Sequence, residues 1–331
     1  MERDDLREIY RHLENNSNKK YKKVDLFIYS HGGEAVLAWA LVNLIREMAD
    51  EFDVMVPYSA FSCATSVAIG ADNIIMCKTG NLGPIDPLVT NEFNPFERGH
   101  FVPIAVEDIN GFCLLLKDKF GLKDQQCSTE LFKSLLSDIR PLAMGNAYRQ
   151  YIKARDDARK LLSLHMDPVK EKKKINNITD ILVEKLYYHG HNITRNEASA
   201  IGLDIINADT IHNKTGNLEN LLWQLYSDYE KDLKLNQPYK DELPQSNKNS
   251  VDLPVKYVES NKFSSVHVLE QEWDDFGFPN GSKLSFSSPE GQPAIYDSNT
   301  KQVIPIFFEN AIPTIMNDKV YVKTETSYWK R

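Results

Sequence analysis

The stretch Val54-Met-Val-Pro-Tyr-Ser-Ala-Phe-Ser62-Cys-Ala-Thr-Ser-Val-Ala-Ile-Gly-Ala71 decides how this chain is interpreted. An apolar run ends at Pro57, a short loop follows, and Ser62 lies where a helix of small apolar residues begins. A serine at this place either caps the helix by accepting a backbone N–H or acts as a nucleophile that the helix N-terminus stabilises. On this stretch alone the cap is favoured, because capping serines far outnumber nucleophiles.

Strands and helices alternate around this stretch. A strand buried on both faces is predicted at residues 24–29, a helix at 34–50, and two further strands at 52–58 and 73–77. Strands that alternate with helices predict an α/β fold with a parallel sheet.

The remainder of the chain divides by composition. A short strand is predicted at 204–207, and the helical segments are predicted at 4–15, 106–119, 128–138, 142–164, 168–187, 195–203 and 216–235, with irregular structure at 88–104. The polar, proline-containing sequence that follows predicts a linker, and short apolar runs with turn signals after it predict a small β-rich region. We therefore divide the chain into 1–210, a helical extension at 211–236, a linker at 237–253 and a C-terminal region of unknown role at 254–331.

Composition limits the classes of function. The 331 residues are 42% apolar, which is enough for a real core, and the net charge of -8 argues against a nucleic-acid partner. The cysteines show neither metal-like pairing nor disulfide-rich density, so we expect a reducing, cytoplasmic location. Neither a signal peptide nor an apolar run of about 18 residues is found, so no transmembrane segment is predicted.

A double glycine, Gly32-Gly33, follows the first predicted strand and lets the backbone approach a ligand closely. It is not the G-x-G-x-x-G of a dinucleotide site. Its two interpretations are a tight strand-to-helix turn and one donor of an oxyanion hole. The second donor in that case is the N–H of Cys63, the residue after the candidate nucleophile.

A serine nucleophile needs a base, and no histidine lies just after the third strand, where Asp86 stands instead. A lysine made neutral by burial can serve, as in Ser-Lys variants of the triad. Lys153 is the candidate and Lys160 its rival, and periodicity does not decide between them. His189 and His191 are interpreted as packing and capping residues of a turn rather than metal ligands.

Four segments in this order resemble the serine dehydrogenase proteinase family of the Clp/crotonase fold, which is similar to SppA and to NfeD-type membrane proteases. They are Asp25-Leu-Phe-Ile-Tyr-Ser-His-Gly-Gly33, Ser62-Cys-Ala-Thr65, Ala68-Ile-Gly-Ala-Asp-Asn-Ile-Ile-Met76 and Leu82-Gly-Pro-Ile-Asp-Pro87. The likeness extends over about residues 24–206, so that residues 1–210 are expected to form a ClpP/crotonase-like domain of parallel strands and crossover helices with a helical insertion.

The resemblance implies a role for each matching residue. Ser62 matches the nucleophile, and Gly33 and Cys63 match the oxyanion-hole amides. Tyr151-Ile-Lys153 looks like the motif whose lysine is the base in NfeD-type enzymes, which favours Lys153 over Lys160. Asp86 falls where ClpP-like peptidases carry histidine, which is expected of a Ser-Lys enzyme and argues against a Ser-His-Asp triad. Gly32, His31 and Asp86 are the supporting residues.

The sequence also departs from the family pattern. His31 replaces a usual proline and is interpreted as a turn residue in preference to a substrate contact, and Cys63 replaces a smaller residue. The family's fold usually opens with a strand before the first helix, whereas Met1 lies almost on that helix.

The sequence thus predicts a serine peptidase that cleaves peptide bonds through an acyl-enzyme with a Ser62–Lys153 dyad, without metal or organic cofactor. The resemblance implies trimers or hexamers. The alternatives are a catalytically silent Clp-fold scaffold and, less favoured, an acyl-CoA enzyme of the crotonase type.

Overall fold

The computed structural model describes residues 1–14, 19–97, 99–121, 129, 132–133, 135–136, 139–186, 188–213, 216–235, 250–262, 264–276, 282–285, 294–297, 302–305, 312–316 and 319–330. The chain forms two compact units, Met1–Asp228 and Tyr229–Arg331. The predicted helix at 128–138 and the predicted linker at 237–253 lie largely outside the described residues.

The first unit contains a four-stranded parallel sheet. Its strands, in spatial order, are β1 (Tyr21–Phe27), β2 (Ala49–Val56), β4 (Asn73–Met76) and β9 (Ile205–Asn207). A second, three-stranded sheet joins β3 (Ser59–Ala60), β5 (Asn81–Leu82) and β8 (Ile193–Thr194). The predicted α/β fold with a parallel sheet is therefore confirmed.

Helices cover the parallel sheet and form the insertion. The described ones are α1 (Arg3–Leu13), α2 (Val36–Met48), α3 (Cys63–Ile69), α4 (Val106–Asp118), α5 (Pro141–Leu162), α6 (Lys172–Asp180), α7 (Arg195–Ile201) and α8 (Leu218–Asp232). A π-helical turn, Ile181–Lys185, follows α6 directly. The segment expected to be irregular contains a short hairpin, β6 (Phe96–Glu97) with β7 (His100–Phe101). A second short antiparallel pair joins β10 (His212–Asn213) and β11 (Gly216–Asn217).

The prediction that the first strand is buried on both faces is wrong. In the described sheet β1 pairs with β2 and lies at the edge, and its residues are partly buried or exposed, with none fully buried. The doubly covered strand is β2, in which Phe52, Val54 and Val56 are fully buried on one face and Asp53 is buried on the other. Burial on both faces belongs to interior strands of a parallel sheet, and sequence does not reveal which strand lies at the edge.

Helix α3 lies at the centre of the core. Nearly all of its side chains are buried, and most of them are small. At Gly70, which follows the helix, a Cβ would come within 2.9 Å of both methyl carbons of Val42 on α2 and 3.0 Å of Leu161 Cδ2 on α5. Small residues therefore let α2 and α5 approach α3 closely, and this packing holds α3 in place.

The second unit contains antiparallel sheets, which confirms the predicted β-rich C-terminal region. The larger sheet has the order β12 (Ser250–Glu259), β13 (Ser264–Phe276), β18 (Lys319–Lys330), β17 (Ile312–Met316). The smaller joins β14 (Ser282–Ser285), β15 (Ala294–Asp297) and β16 (Gln302–Pro305).

Candidate active site

Two loops lie side by side where β1 and β2 end. The backbone N–H of Ser30 donates to the carbonyl of Ser59 at 3.0 Å, and that of Phe61 donates to the carbonyl of Ser30 at 2.9 Å. These bonds form a parallel bridge between Ser30 and Ala60. Because the carboxyl ends of adjacent parallel strands share one edge of the sheet, the bridge brings the double glycine next to the loop that carries Ser62.

Gly32 lies directly against Ser62. A Cβ at Gly32 would come 3.0 Å from the Ser62 Cβ and 3.5 Å from its Oγ, and the φ of +116° is one that other residues rarely adopt. The Ser30 hydroxyl fixes this turn, since it both donates to the Gly32 carbonyl and accepts from the Gly32 N–H at 3.1 Å. The structure thus brings together the predicted Gly32–Gly33 turn and the predicted nucleophile.

Ser62 does not act as a helix cap. It occupies the N-cap position of α3, but its side chain makes no capping hydrogen bond. Its backbone has φ 52° and ψ -113°, a combination outside the left-handed helical region and usual only for glycine. A non-glycine residue held in such a backbone conformation is typical of functional sites. It is also typical of the nucleophile elbow of hydrolases, where the turn exposes the serine oxygen.

Cys63 is buried at the first residue of α3, and its thiol donates to the carbonyl of Glu34 at 3.2 Å. Burial raises the pKa of this thiol to about 11, so it is neutral at physiological pH. The thiol is therefore unsuited to nucleophilic chemistry.

His31 is exposed beside the double glycine. Its Nε2 lies 3.0 Å from the hydroxyl of Tyr29, and its ring contacts that of Phe61 at a centroid distance of 5.9 Å. Among the described residues other than glycine, positive φ angles occur at Ser62 and Lys234, so His31 is not in a left-handed conformation. The turn therefore does not need a residue that tolerates an unusual backbone conformation, which was the reason for interpreting His31 as a turn residue.

Lys153 is not buried as a neutral base must be. Its side chain is 48% exposed, and Nζ forms an ion pair with Asp157 one turn along α5. A lysine acts as a neutral base where burial removes it from water, and this side chain remains in contact with solvent. The buried stripe of α5 runs through Ala147, Ala158 and Leu161, and Lys153 lies off it.

Lys160 shares this environment. Its side chain is 53% exposed and paired with Asp156, which raises its pKa. Within the single chain, therefore, neither lysine is buried as the Ser-Lys hypothesis requires.

The structure instead brings a histidine to Asp86. Nδ1 of His189 lies 2.7 Å from Asp86 Oδ1, and the Asp86 side chain is only 11% exposed. This hydrogen bond raises the pKa of His189, partly opposed by burial. With Nδ1 as the donor to Asp86, the neutral ring leaves Nε2 as the acceptor, which is the arrangement of a general base and its orienting acid.

The loop that carries Asp86 packs on the loop that carries Ser62. A Cβ at Gly83 would come 3.0 Å from the Phe61 ring. The Gly83 N–H donates to Thr65 Oγ1 at 2.9 Å, and that hydroxyl donates to the carbonyl of Ala60 at 2.7 Å. Asp86 is three residues after Gly83, a span of at most about 10 Å.

His189 is the residue that sequence reasoning interpreted as structural. It is separated from Asp86 by 103 positions, and no local pattern joins them. The one available signal is chain order, since serine, acid and histidine follow one another as they do in α/β-hydrolases.

Residues 1–121 match the ClpP-like SDH-type serine proteinase family. This match confirms the resemblance found in the sequence and supports a peptidase, and hence hydrolase, role. The match includes the double glycine, Ser62, Cys63 and Asp86. It ends before both Lys153 and His189, so the base is not identified by it.

Curated relatives come from Methanocaldococcus jannaschii. One uncharacterized protein is 28% identical over 203 residues, which is 61% of this chain and 59% of that protein. A second is 33% identical over 66 residues, 20% of this chain and 23% of the other. The chain therefore spans less than two thirds of the length of these relatives.

Among solved structures, a mutant of the 1510-N membrane-bound stomatin-specific protease in complex with a substrate peptide is similar with a TM-score of 0.34. The two chains are 14% identical, and the match covers 61% of this chain and 67% of the protease.

Two further properties concern metals and membranes. Within the described ranges, no three His, Cys, Asp or Glu side chains converge as a metal site. In the same part of the chain, each helix is too short or too polar to span a bilayer.

Proposed function

We propose that the chain is a serine peptidase in which Ser62 is the nucleophile and His189, oriented by Asp86, is the general base. The observation that carries the proposal is the conformation of Ser62: its side chain makes no capping hydrogen bond, and its backbone is held at φ 52° against Gly32. The His189–Asp86 hydrogen bond, on a loop packed against Phe61, supports the choice of base over Lys153.

The mechanism follows from these positions. Nε2 of His189 accepts the proton of Ser62 as its oxygen attacks the carbonyl carbon of a peptide bond, and Asp86 stabilises the imidazolium that forms. The N–H groups of Gly33 and Cys63 donate to the tetrahedral oxyanion. The imidazolium then protonates the leaving amine, and a water activated by His189 hydrolyses the acyl-enzyme.

Labelling with a fluorophosphonate tests the nucleophile. We expect covalent modification of the wild type at Ser62 and none in Ser62→Ala. Equal labelling of the two proteins would refute the assignment. Absence of labelling in both would favour a catalytically silent scaffold.

Three matched variants test the base. We expect His189→Ala to lower the rate of peptide cleavage about 10²- to 10⁴-fold, whereas Lys153→Ala and Lys160→Ala retain it. A loss confined to Lys153→Ala would restore the Ser-Lys dyad, and the desolvation of Lys153 would then have to come from another subunit. A loss confined to Lys160→Ala would transfer the role to Lys160.

Self-association in trimers or hexamers also belongs to this proposal. Large apolar side chains on α5 are exposed, with 64% of Leu142, 57% of Tyr148 and 49% of Ile152 accessible. Such a surface is typical of contacts between subunits. We expect sedimentation to show an oligomer in the wild type and smaller species in Leu142→Glu; an unchanged monomer in both would refute it.

A further inference from the structure

The segment Met1–Arg3 lies along the double-glycine loop, beside the proposed oxyanion hole. The Met1 nitrogen donates to the carbonyl of Gly32, and the N–H of Glu34 donates to the carbonyl of Met1 at 3.0 Å. A Cβ at Gly33 would come 2.1 Å from the Met1 carbonyl oxygen and 2.3 Å from the Met1 nitrogen. No residue other than glycine leaves room for the Met1 backbone at this position.

These two hydrogen bonds have the pattern of a parallel β-bridge. Met1 donates to the carbonyl of Gly32 and accepts from the N–H of Glu34, the residues before and after Gly33. A residue in one strand bonds to the adjacent parallel strand in the same way. Addition of an extended peptide to exposed backbone in this way is a recurrent mode of peptide recognition, in which main-chain bonds supply the affinity. The loop thus offers a donor and an acceptor spaced for one residue of an extended peptide.

The segment is also held by its side chains and by the start of α1. Arg3 Nε lies 3.2 Å from a carboxylate oxygen of Glu34. The Glu2 N–H donates to Asp5 Oδ2 at 2.7 Å, and the Asp5 N–H donates to the Glu2 carbonyl at 3.1 Å, which fixes the first turn of α1. The Arg3 and Glu34 side chains are 80% and 45% exposed, so solvent screens the pair and it is weak and reversible.

We propose that the Gly32 carbonyl and the Glu34 N–H form the main-chain binding site for the peptide substrate, and that Met1–Arg3 occupies this site in the resting protein. The segment is then an internal competitor, and substrate binds only when it withdraws. The Glu34 carboxylate favours a basic side chain two residues after the one bound, as Arg3 follows Met1. This inference rests on the proposed function, because it assigns the occupant of the same site.

Charge variants of the full chain test the competition. Arg3→Glu replaces the ion pair with two like charges, and we expect fluorophosphonate to label Ser62 about two- to fivefold faster than in the wild type. Arg7→Glu makes the same charge change on an exposed residue of α1 and is expected to label at the wild-type rate. The double variant Arg3→Glu/Glu34→Arg restores an opposite-charge pair and is expected to return the rate towards that of the wild type.

Hydrogen exchange of the Glu34 amide, followed by NMR, reports the contact without any catalysis. We expect this amide to be protected in the wild type and in Arg7→Glu, and to exchange faster in Arg3→Glu. Labelling and exchange that are both unchanged in Arg3→Glu would overturn the inference. If no protein labels at Ser62, the proposed function fails. The exchange measurement distinguishes the two failures: a Glu34 amide that is unprotected in the wild type overturns the Met1–Glu34 contact itself, whatever the labelling result.

Discussion

Replacement of Ser62 by glycine is expected to stabilise the protein while it abolishes activity. The backbone of Ser62 has φ 52° and ψ -113°, and a non-glycine residue in such a region costs about 1–3 kcal/mol. Glycine relieves that cost but loses more entropy on folding, by about 0.5–1 kcal/mol. The net gain relative to Ser62→Ala, which also lacks the hydroxyl but keeps Cβ, is therefore about 1 kcal/mol.

Thermal and urea unfolding of Ser62→Gly and Ser62→Ala measure this difference. For a unit the size of Met1–Asp228, a gain of that size corresponds to a rise of about 2–4 °C in Tm. Ser66 is a matched control because it lies within α3 and has no positive φ. There the order reverses, and Ser66→Gly is less stable than Ser66→Ala by about 1 kcal/mol. If Ser62→Gly is no more stable than Ser62→Ala, the turn at Ser62 stores no strain and the nucleophile-elbow argument fails.

Three other outcomes can be measured on the same protein. Asp86→Asn is expected to lower the rate of peptide cleavage about 10²- to 10⁴-fold. It also moves the acid limb of the kcat/KM profile to lower pH, because Asp86 raises the pKa of His189; an unchanged profile would contradict the pairing. Burial lowers the pKa of His165 below 6.5, so the unfolded chain binds a proton that the folded chain rejects. Stability to urea should therefore fall as the pH drops below 6.5, and should fall less in His165→Gln. Gly70→Ala is expected to cost about 1–3 kcal/mol of unfolding free energy because its Cβ overlaps α2 and α5. Gly111→Ala, with open space at its Cβ, should instead stabilise α4 by about 0.5–1 kcal/mol; equal effects at the two glycines would refute the packing argument.

The elements near the site follow from local sequence. Apolar periodicity placed α2 within two residues of its observed bounds, Val36–Met48, and the glycine pair marked the turn before it. The strand at Ile205–Asn207 and the helix at Leu218–Asp232 were likewise confirmed. In these segments the local pattern and the tertiary environment agree, which is why single-sequence reasoning suffices.

What the sequence did not reveal depends on distant contacts. The position of β1 at the sheet edge is decided by strand order rather than by its own residues. The approach of His189 to Asp86 depends on how the chain returns after α6, which no local pattern encodes. The exposure of Lys153 agrees with its place off the apolar stripe of α5, and the choice of this lysine as the base had depended on the resemblance alone. The roles of Ser62, Gly33 and Cys63 stay predictions until the labelling experiment is done.

The buried thiol of Cys63 has a consequence for inhibitor profiling. With its pKa raised to about 11, only about one thiol in 10⁴ is ionised near pH 7. Iodoacetamide and other alkylating agents should therefore leave the proposed site intact, although a cysteine adjoins the proposed nucleophile. In a screen of inhibitor classes, this chain would be sorted with enzymes that organophosphorus reagents inactivate and thiol reagents spare.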